Sequence, residues 1–524
     1  MRASTNGDKK AATVIALKST SGATLRLVLG LWLTLGCADL ALAQRWNIDP
    51  SIEAQVTLTN NANYENEAQR EGDLVFSLLP AVGFSREGPR LRVAGAASLN
   101  MIGYADGTQT SRMLPQANVL ANLEAIDQLF YIEAALRANQ SVINPFLPRS
   151  DAASTFNKYT YVQGSVAPYL QGSFATNWSY LVRSTNSYTY TTQADAELDN
   201  AYHGRHVAQV VRTPTPLGGS LRVQSDVTRF DDVRNVNQQL DIVMATVNYA
   251  FTPQFSAGLR GGYERTNYTR TEESGPIYGV DLAWTPGPQT RIAGFWESRF
   301  FGPSYQFGAS SRLRRFATTI SASRSVATYP QLLMELPATG NVSGLLDAIL
   351  TARFPDPVER AQQVQDLIER QGLPSSLPGG VNIFSRNANV FTSVSGTFAL
   401  IGVRNTLALN LYYLKTEVLP DAAIPPTFIT FDNNAQRGVS LSLSHRLSPV
   451  TSLNATATRW ETRGLDQSAR LITDENIFRV QASRELTPRT NAFVGARYRQ
   501  QDSTSGAVGD SSEAAIFVGL FHRL

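Results

Sequence analysis

Val439-Ser440-Leu441-Ser442-Leu443-Ser444-His445-Arg446-Leu447 alternates apolar and polar side chains, with His445 the one exception in the apolar series. Successive side chains of a strand point to opposite faces, so this stretch makes a strand with one apolar and one polar side. The pattern recurs along the chain. Leu91, Val93, Ala97, Leu99 and Met101 interleave with Arg92, Ala94, Ala96, Ser98 and Asn100. Leu221, Val223 and Val227 interleave with Arg222, Gln224, Asp226 and Thr228, and Leu407, Leu409, Leu411 and Tyr413 with Thr406, Ala408, Asn410 and Tyr412. Many of these runs extend over 10–14 residues. Strands of soluble proteins average about 5–6 residues, whereas a tilted membrane-crossing strand needs about 9–11. The fold class expected is therefore all-β, a transmembrane antiparallel outer-membrane β-barrel.

Tight turns at Thr252-Pro253-Gln254, Thr285-Pro286-Gly287-Pro288, Gly402-Val403-Arg404-Asn405, Ser448-Pro449-Val450-Thr451 and Thr487-Pro488-Arg489 alternate with longer polar connections such as Thr269–Gly275, Thr416–Gln436 and Asp502–Ser511. Short periplasmic turns and long outer loops are the outer-membrane barrel rhythm. Both ends of the barrel then fall in the periplasm, which requires an even strand number; about 22 strands are expected, within about 16–24. Aromatic residues near strand ends (Tyr249, Phe251, Trp284, Phe300, Phe301, Tyr412, Tyr413, Trp460 and Tyr498) fit interfacial girdles. Ile516, Val518, Leu520, His522 and Leu524 carry the alternation to the last residue. Between Pro288 and Gly402 the rhythm breaks. Val358, Ala361, Val364, Leu367 and Ile368 recur at helical spacing, with Pro357 opening a helix and Gly372-Leu373-Pro374 ending it. That helix belongs to a long loop over about 327–387, placed either outside the cell or inside the lumen.

Composition agrees. Charged residues are 17% of the chain, below the roughly 25% of soluble domains. The formal charge of +3 comes from residues 1–43, where five basic residues face Asp8 and Asp39; the rest is formally neutral, which argues against a nucleic-acid partner. Lys9, Lys10, Lys18 and Arg26 precede an apolar run from Leu27 to Leu42, and Ala41-Leu42-Ala43 precedes Gln44, as signal peptidase requires. Residues 1–43 are therefore expected to be a signal peptide cleaved between Ala43 and Gln44, leaving 44–524 as a single barrel. A start codon downstream of Met1 would shorten an unusually long basic region. The sole cysteine, Cys37, lies in that signal, so no disulfide framework is expected.

No nucleotide, zinc or nucleophile-elbow motif occurs, no cofactor or metal is expected, and the chain is not expected to be an enzyme. His203 and His206 are the one candidate metal pair; solvated residues at a loop boundary account for them as well. Alternation assigns Arg222, Arg260, Arg291, Glu297, Arg299, Arg312, Arg315, Arg479, Arg497 and Arg499 to the lumen, together with Asp226, Glu264 and Asp281. Arginine in excess would favour anionic solutes; charges paired to brace the wall account for the same residues.

Trp284-Thr285-Pro286-Gly287-Pro288-Gln289-Thr290-Arg291, Arg299-Phe300-Phe301-Gly302 and Arg312-Leu313-Arg314-Arg315 resemble the PEP-CTERM system-associated outer-membrane protein family. So do Trp46–Ile52, the helix with Glu359-Arg360 ending in Gly372-Leu373-Pro374, and Arg404-Asn405-Thr406. The family commonly has His-Arg where this chain has Ser311-Arg312. The resemblance implies a bacterial outer-membrane protein associated with exopolysaccharide export. Its partners would be membrane lipid, the barrel-assembly machinery, exopolysaccharide and periplasmic export components. A general diffusion porin and a structural scaffold of an export complex are the alternative expectations.

Overall fold

The computed structural model describes residues 46–149, 157–192, 199–231, 237–335, 342–351, 353–354, 360, 363–365, 367–368, 373–374, 377–420, 433–465, 470–504 and 509–524. The expected signal segment and its Ala43–Gln44 cleavage site lie outside the described residues.

Twenty-two antiparallel strands pair in sequence order. The first, β1 (Asn47–Thr59), closes the ring by pairing with β22 (Ser511–Arg523) from Ser51↔Arg523 to Thr59↔Ala515. Strand lengths run from 10 residues in β13 (Thr290–Arg299) to 18 in β6 (Lys158–Ala175), long enough to cross the hydrocarbon layer at a tilt. Closure pairs every edge, which lets backbone amides enter lipid without unsatisfied donors. Pro253-Gln254, Pro288-Gln289, Pro449-Val450 and Pro488-Arg489 all form turns at one end, the end that also holds the start of β1 and the finish of β22. In outer-membrane barrels that end is periplasmic. The longer connections occupy the other end, except between β13 and β14 (Gly302–Arg312), where Phe300-Phe301 suffices.

The wall is inside-out relative to a soluble protein. In β18 (Asn434–Ser448) Ser440, Ser442 and Ser444 are fully buried, while Leu441 is 38% exposed on the outer face. Ile516, Val518 and Leu520 of β22 are likewise exposed, and Phe517 between them is buried. Exposed apolar side chains on every second residue are what a lipid solvent selects. The protein is a bacterial outer-membrane barrel.

Tyr249, Phe251 and Trp284 sit outward near the turn end and Tyr413 and Tyr498 outward near the loop end, as girdle residues should. Tyr412 and Trp460 do not: both face inward and are buried, because they differ in parity from their outward neighbours. Phe300 and Phe301 are also not girdle residues; they form the short connection itself and pack beside Tyr268 and Leu240.

Candidate functional site

The described residues of segment 328–388, between β15 (Phe316–Ala327) and β16 (Asn389–Ile401), lie inside the lumen. The segment begins with α1 (Tyr329–Glu335), which lies against β5 (Phe130–Val142), β6, β7 (Trp178–Thr192) and β8 (Ala201–Arg212). Thr328 bonds Thr228 of β9 (Leu217–Phe230) at 2.9 Å, and Tyr329 shares a buried hydroxyl contact with Tyr159. Gln163 donates to the Pro330 carbonyl at 3.1 Å. Arg137 Nη1 donates to the carbonyls of Leu333 and Met334 at 2.8 and 2.9 Å, taking up acceptors that a helix C-terminus leaves open.

The next helix, α2 (Val342–Leu350), lies half the ring away and near the turn end. Leu345 and Ile349 pack on Ala317 of β15 and Ala399 of β16. Val342 and Leu346 pack on Ala408 of β17 (Asn405–Val418) together with Val364, Ile368, Leu373 and Leu377. Arg360, Gln363–Gln365, Leu367 and Ile368 are helical, as their spacing predicts; Pro357 and Gly372 lie outside the described residues. Alternation did not reveal α1 and α2: both are short, and neither has acidic residues in its first turn or basic residues in its last.

The chain then returns as irregular backbone, and the wall supplies its hydrogen bonds. Asn410 donates to the Pro378 carbonyl at 2.9 Å; Gln436 accepts from the Val381 amide and donates to its carbonyl, both at 2.9 Å. Ser141, on the opposite wall, donates to the Asn382 carbonyl at 3.3 Å, and Gln238 to that of Arg386 at 2.9 Å. Non-helical backbone at membrane depth requires such partners. The connection after β5 crosses the loop-end mouth as well. Arg149 lies 4.7 Å over the Trp460 ring and donates to Gln436 at 2.8 Å and the Gly379 carbonyl at 3.0 Å. Gly438 leaves space for the Tyr412 ring, whose Cε1 would lie 2.6 Å from an added Cβ.

The predicted lumen residues mostly face inward. Arg497 bonds Glu513 at 2.6 Å, and Arg499 pairs with Glu475 and lies 4.3 Å over Tyr64. Arg299 bridges Glu264 at 2.6 Å and Glu297 at 3.1 Å, and Arg260 reaches Glu297 at 3.4 Å. Arg479 stacks 4.2 Å over Phe517. Arg312 lies 3.5 Å from the Ala348 carbonyl of α2. Arg222 donates to Gln224 at 2.5 Å. Asp281 and Arg291 share an inward hollow at the turn end of the wall. Arg315 is a correction: it lies in the β14–β15 turn, exposed, because the strand ends at Arg312 before alternation can place it. Around β19 to β22 and β11 to β14 the wall is thus braced by paired charges.

His203 and His206 are strand residues of β8, not loop residues, and being three apart they face opposite sides of the wall, so they cannot share a metal. His203 is fully buried in the lumen and bonds Thr228 at 2.9 Å; His206 faces outward and bonds Ser184 at 2.9 Å.

Sequence reasoning missed one group. Under Met334, extending toward the turn end, is a luminal cavity of about 360 Å³. Arg137, Arg183 and Arg205, the three that were missed, line it with Glu133 and the expected Arg222. Arg183 bonds Glu133 at 2.7 Å and Arg205 bonds Asp226 at 2.6 Å. The signal that could have found them is the same inward parity on four nearby strands, each carrying an arginine.

No family model matches the chain, and no curated protein does. Solved structures do match. The siderophore receptor PirA of Acinetobacter baumannii has a TM-score of 0.48 at 7% identity, covering 91% of this chain and 80% of that one. The iron transporter FrpB of Neisseria meningitidis (F3-3 variant) has 0.47 at 8%, covering 91% and 81%. The ferric-catecholate import receptor Fiu of E. coli K12 has 0.46 at 7%, covering 91% and 82%. The likeness is one of fold, and these proteins are receptors and transporters rather than enzymes. The expected exopolysaccharide-export pore and the general diffusion porin are both corrected. Described parts of the chain's own segment 328–388 dock inside the lumen on opposite walls, where a pore needs an open water path.

Proposed function

We propose that this chain is a gated, ligand-specific uptake receptor of the outer membrane, whose plug is its own segment 328–388. The observation that supports this reading is the attachment of one segment to opposite walls: Arg137 and Gln163 hold α1, and Ala317, Ala399 and Ala408 seat α2 half the ring away. Solute crosses only when one of these attachments is released. A gate of this kind needs a state in which the segment stays docked on one wall and leaves the other.

The test is planar-bilayer conductance of the detergent-folded protein beside a variant in which residues 330–386 are replaced by a short Gly-Ser linker. The intact protein is expected to be silent apart from brief openings. The shortened one is expected to give large steady steps, with barrel folding checked by heat-dependent gel mobility. Steady large conductance from the intact protein would overturn the gated reading.

A further inference from the structure

The lumen holds a second inner element besides the plug. The described part of the connection after β5, residues 143–149, leaves the loop end of that strand and reaches the opposite wall. Its root is tied back. The Asn157 side chain, at a φ of 52°, accepts from the Asn144 amide at 2.9 Å and donates to the Asn144 carbonyl at 2.8 Å. Asparagine tolerates that left-handed backbone better than most residues. The Phe146 amide donates to the Asn144 side chain at 2.9 Å, which fixes the direction in which the strap leaves its root. Its tip is docked as well. Thr473 of β20 (Ile472–Thr487) donates to the Phe146 carbonyl at 3.1 Å, and the Phe146 side chain is fully buried.

Arg149 then joins three bodies. It belongs to the strap, donates to the Gly379 carbonyl of the plug's return limb, and donates to Gln436 of the wall. Its guanidinium lies over the buried ring of Trp460 on β19 (Thr451–Gly464). A planar, forked donor suits this task, since it serves two acceptors while one face stacks. Gln436 is the shared point. Its carboxamide oxygen accepts from both Arg149 and the Val381 amide, its nitrogen donates to the Val381 carbonyl, and the residue is fully buried. Strap and limb are therefore coupled through one side chain, and bonds in such a network support one another.

We propose that residues 143–149 form a strap that locks the plug's return limb to the wall of β17 to β19, with Arg149 as its bolt. This rests on the gated reading and adds which side stays put: the limb remains docked beside Gln436 while α1 leaves the wall of β5 to β8. The strap is fastened at the loop end on both walls, since Val142 ends β5 there and Thr473 is the second residue of β20. The lock is therefore reached from outside the cell, and the limb leaves the wall only after Arg149 withdraws.

The test is hydrogen exchange of the detergent-folded full chain at the Val381 amide, read against the ladder amides of β18. Arg149→Met should raise exchange at Val381 about tenfold or more, the loss of charge-assisted contacts, and leave the ladder unchanged. Thr473→Val loosens the strap tip while keeping the limb contacts named above, and should raise exchange a few-fold. It also covers the case in which the Arg149 variants do not fold. Methylguanidinium added to Arg149→Ala should bring exchange back toward the native rate, a rescue that a merely structural arginine would not show. Combined with Gln436→Leu, the rise from Arg149→Met should fall short of the product of the two single rises, because both residues hold the limb through the same amide group. Unchanged exchange in Arg149→Met or Thr473→Val, a rise matched across β18, a lack of rescue, or rises that multiply would overturn the lock. None of these outcomes depends on the conductance of the linker variant, so the lock and the gate fail separately.

Discussion

The two walls that hold the inner segment do so by different chemistry. Around β15 to β18 the lumen face is small and uncharged: Ala317, Ala399 and Ala408 admit α2 at close range, and Asn410 and Gln436 meet irregular backbone group for group. Around β5 to β9 the face is charged and hydrogen-bonding, with Arg137 on the carbonyls that end α1 and a cavity behind it. Apolar packing and matched amides have no small-molecule competitor in water. A guanidinium on a carbonyl has one, any anion. The first wall is suited to be the anchor and the second the release.

Substitutions break or sharpen this contrast in order of expected size. Leu346 is fully buried between α2 and Ala408; Leu346→Ala should cost about 2–5 kcal/mol of docking energy on the anchor wall. Its signature is steady conductance, seen by the same bilayer measurement, where the native protein is expected to be silent. Gln436→Leu leaves the Val381 amide and carbonyl buried without partners, at about 1–3 kcal/mol. Exchange at Val381 should rise by roughly one to two orders of magnitude, and unchanged exchange would show that the anchor does not rely on Gln436. Glu133→Gln has the smallest effect. It removes the carboxylate paired with the partly exposed Arg183 and should cost at most about 1 kcal/mol of barrel stability, given screening at such a site, read from the temperature at which heat-dependent gel mobility changes. A larger loss would mean that Glu133 also holds Arg183 in place on the lumen face.

Much of the barrel was legible because lipid outside and water inside impose a period of two on every strand. Ser440, Leu441 and Ser442 declare their faces without any knowledge of neighbours. The strand number followed from turn spacing, and the helix around Val364 and Ile368 from its own period. What lies opposite an inward face is not legible. Asn410 and Gln436 look like ordinary lumen residues until Pro378 and Val381 are brought against them by a loop whose path the period cannot report. Arg137, Arg183 and Arg205 converge only because adjacent strands pair in a particular register, Ser184↔His206 and Arg205↔Asp226 among its steps. Arg315 was misplaced at the opposite limit, where alternation was carried past the end of a strand. Tyr412 and Trp460 failed for a related reason: a girdle is defined by depth and face together, and nearness to a strand end supplies only depth.

The inner segment enters from β15 and leaves into β16, two strands paired with each other from Phe316↔Leu400 to Ala327↔Asn389. A closure fastened at both ends to one spot on the rim can swing but cannot be shed. Its return to the lumen is a first-order event, set by an effective concentration that the tether fixes and that no dilution alters. Each barrel therefore carries its own stopper in a strict ratio of one to one. A population of these proteins should reseal at the same rate whether it is sparse or crowded in the membrane.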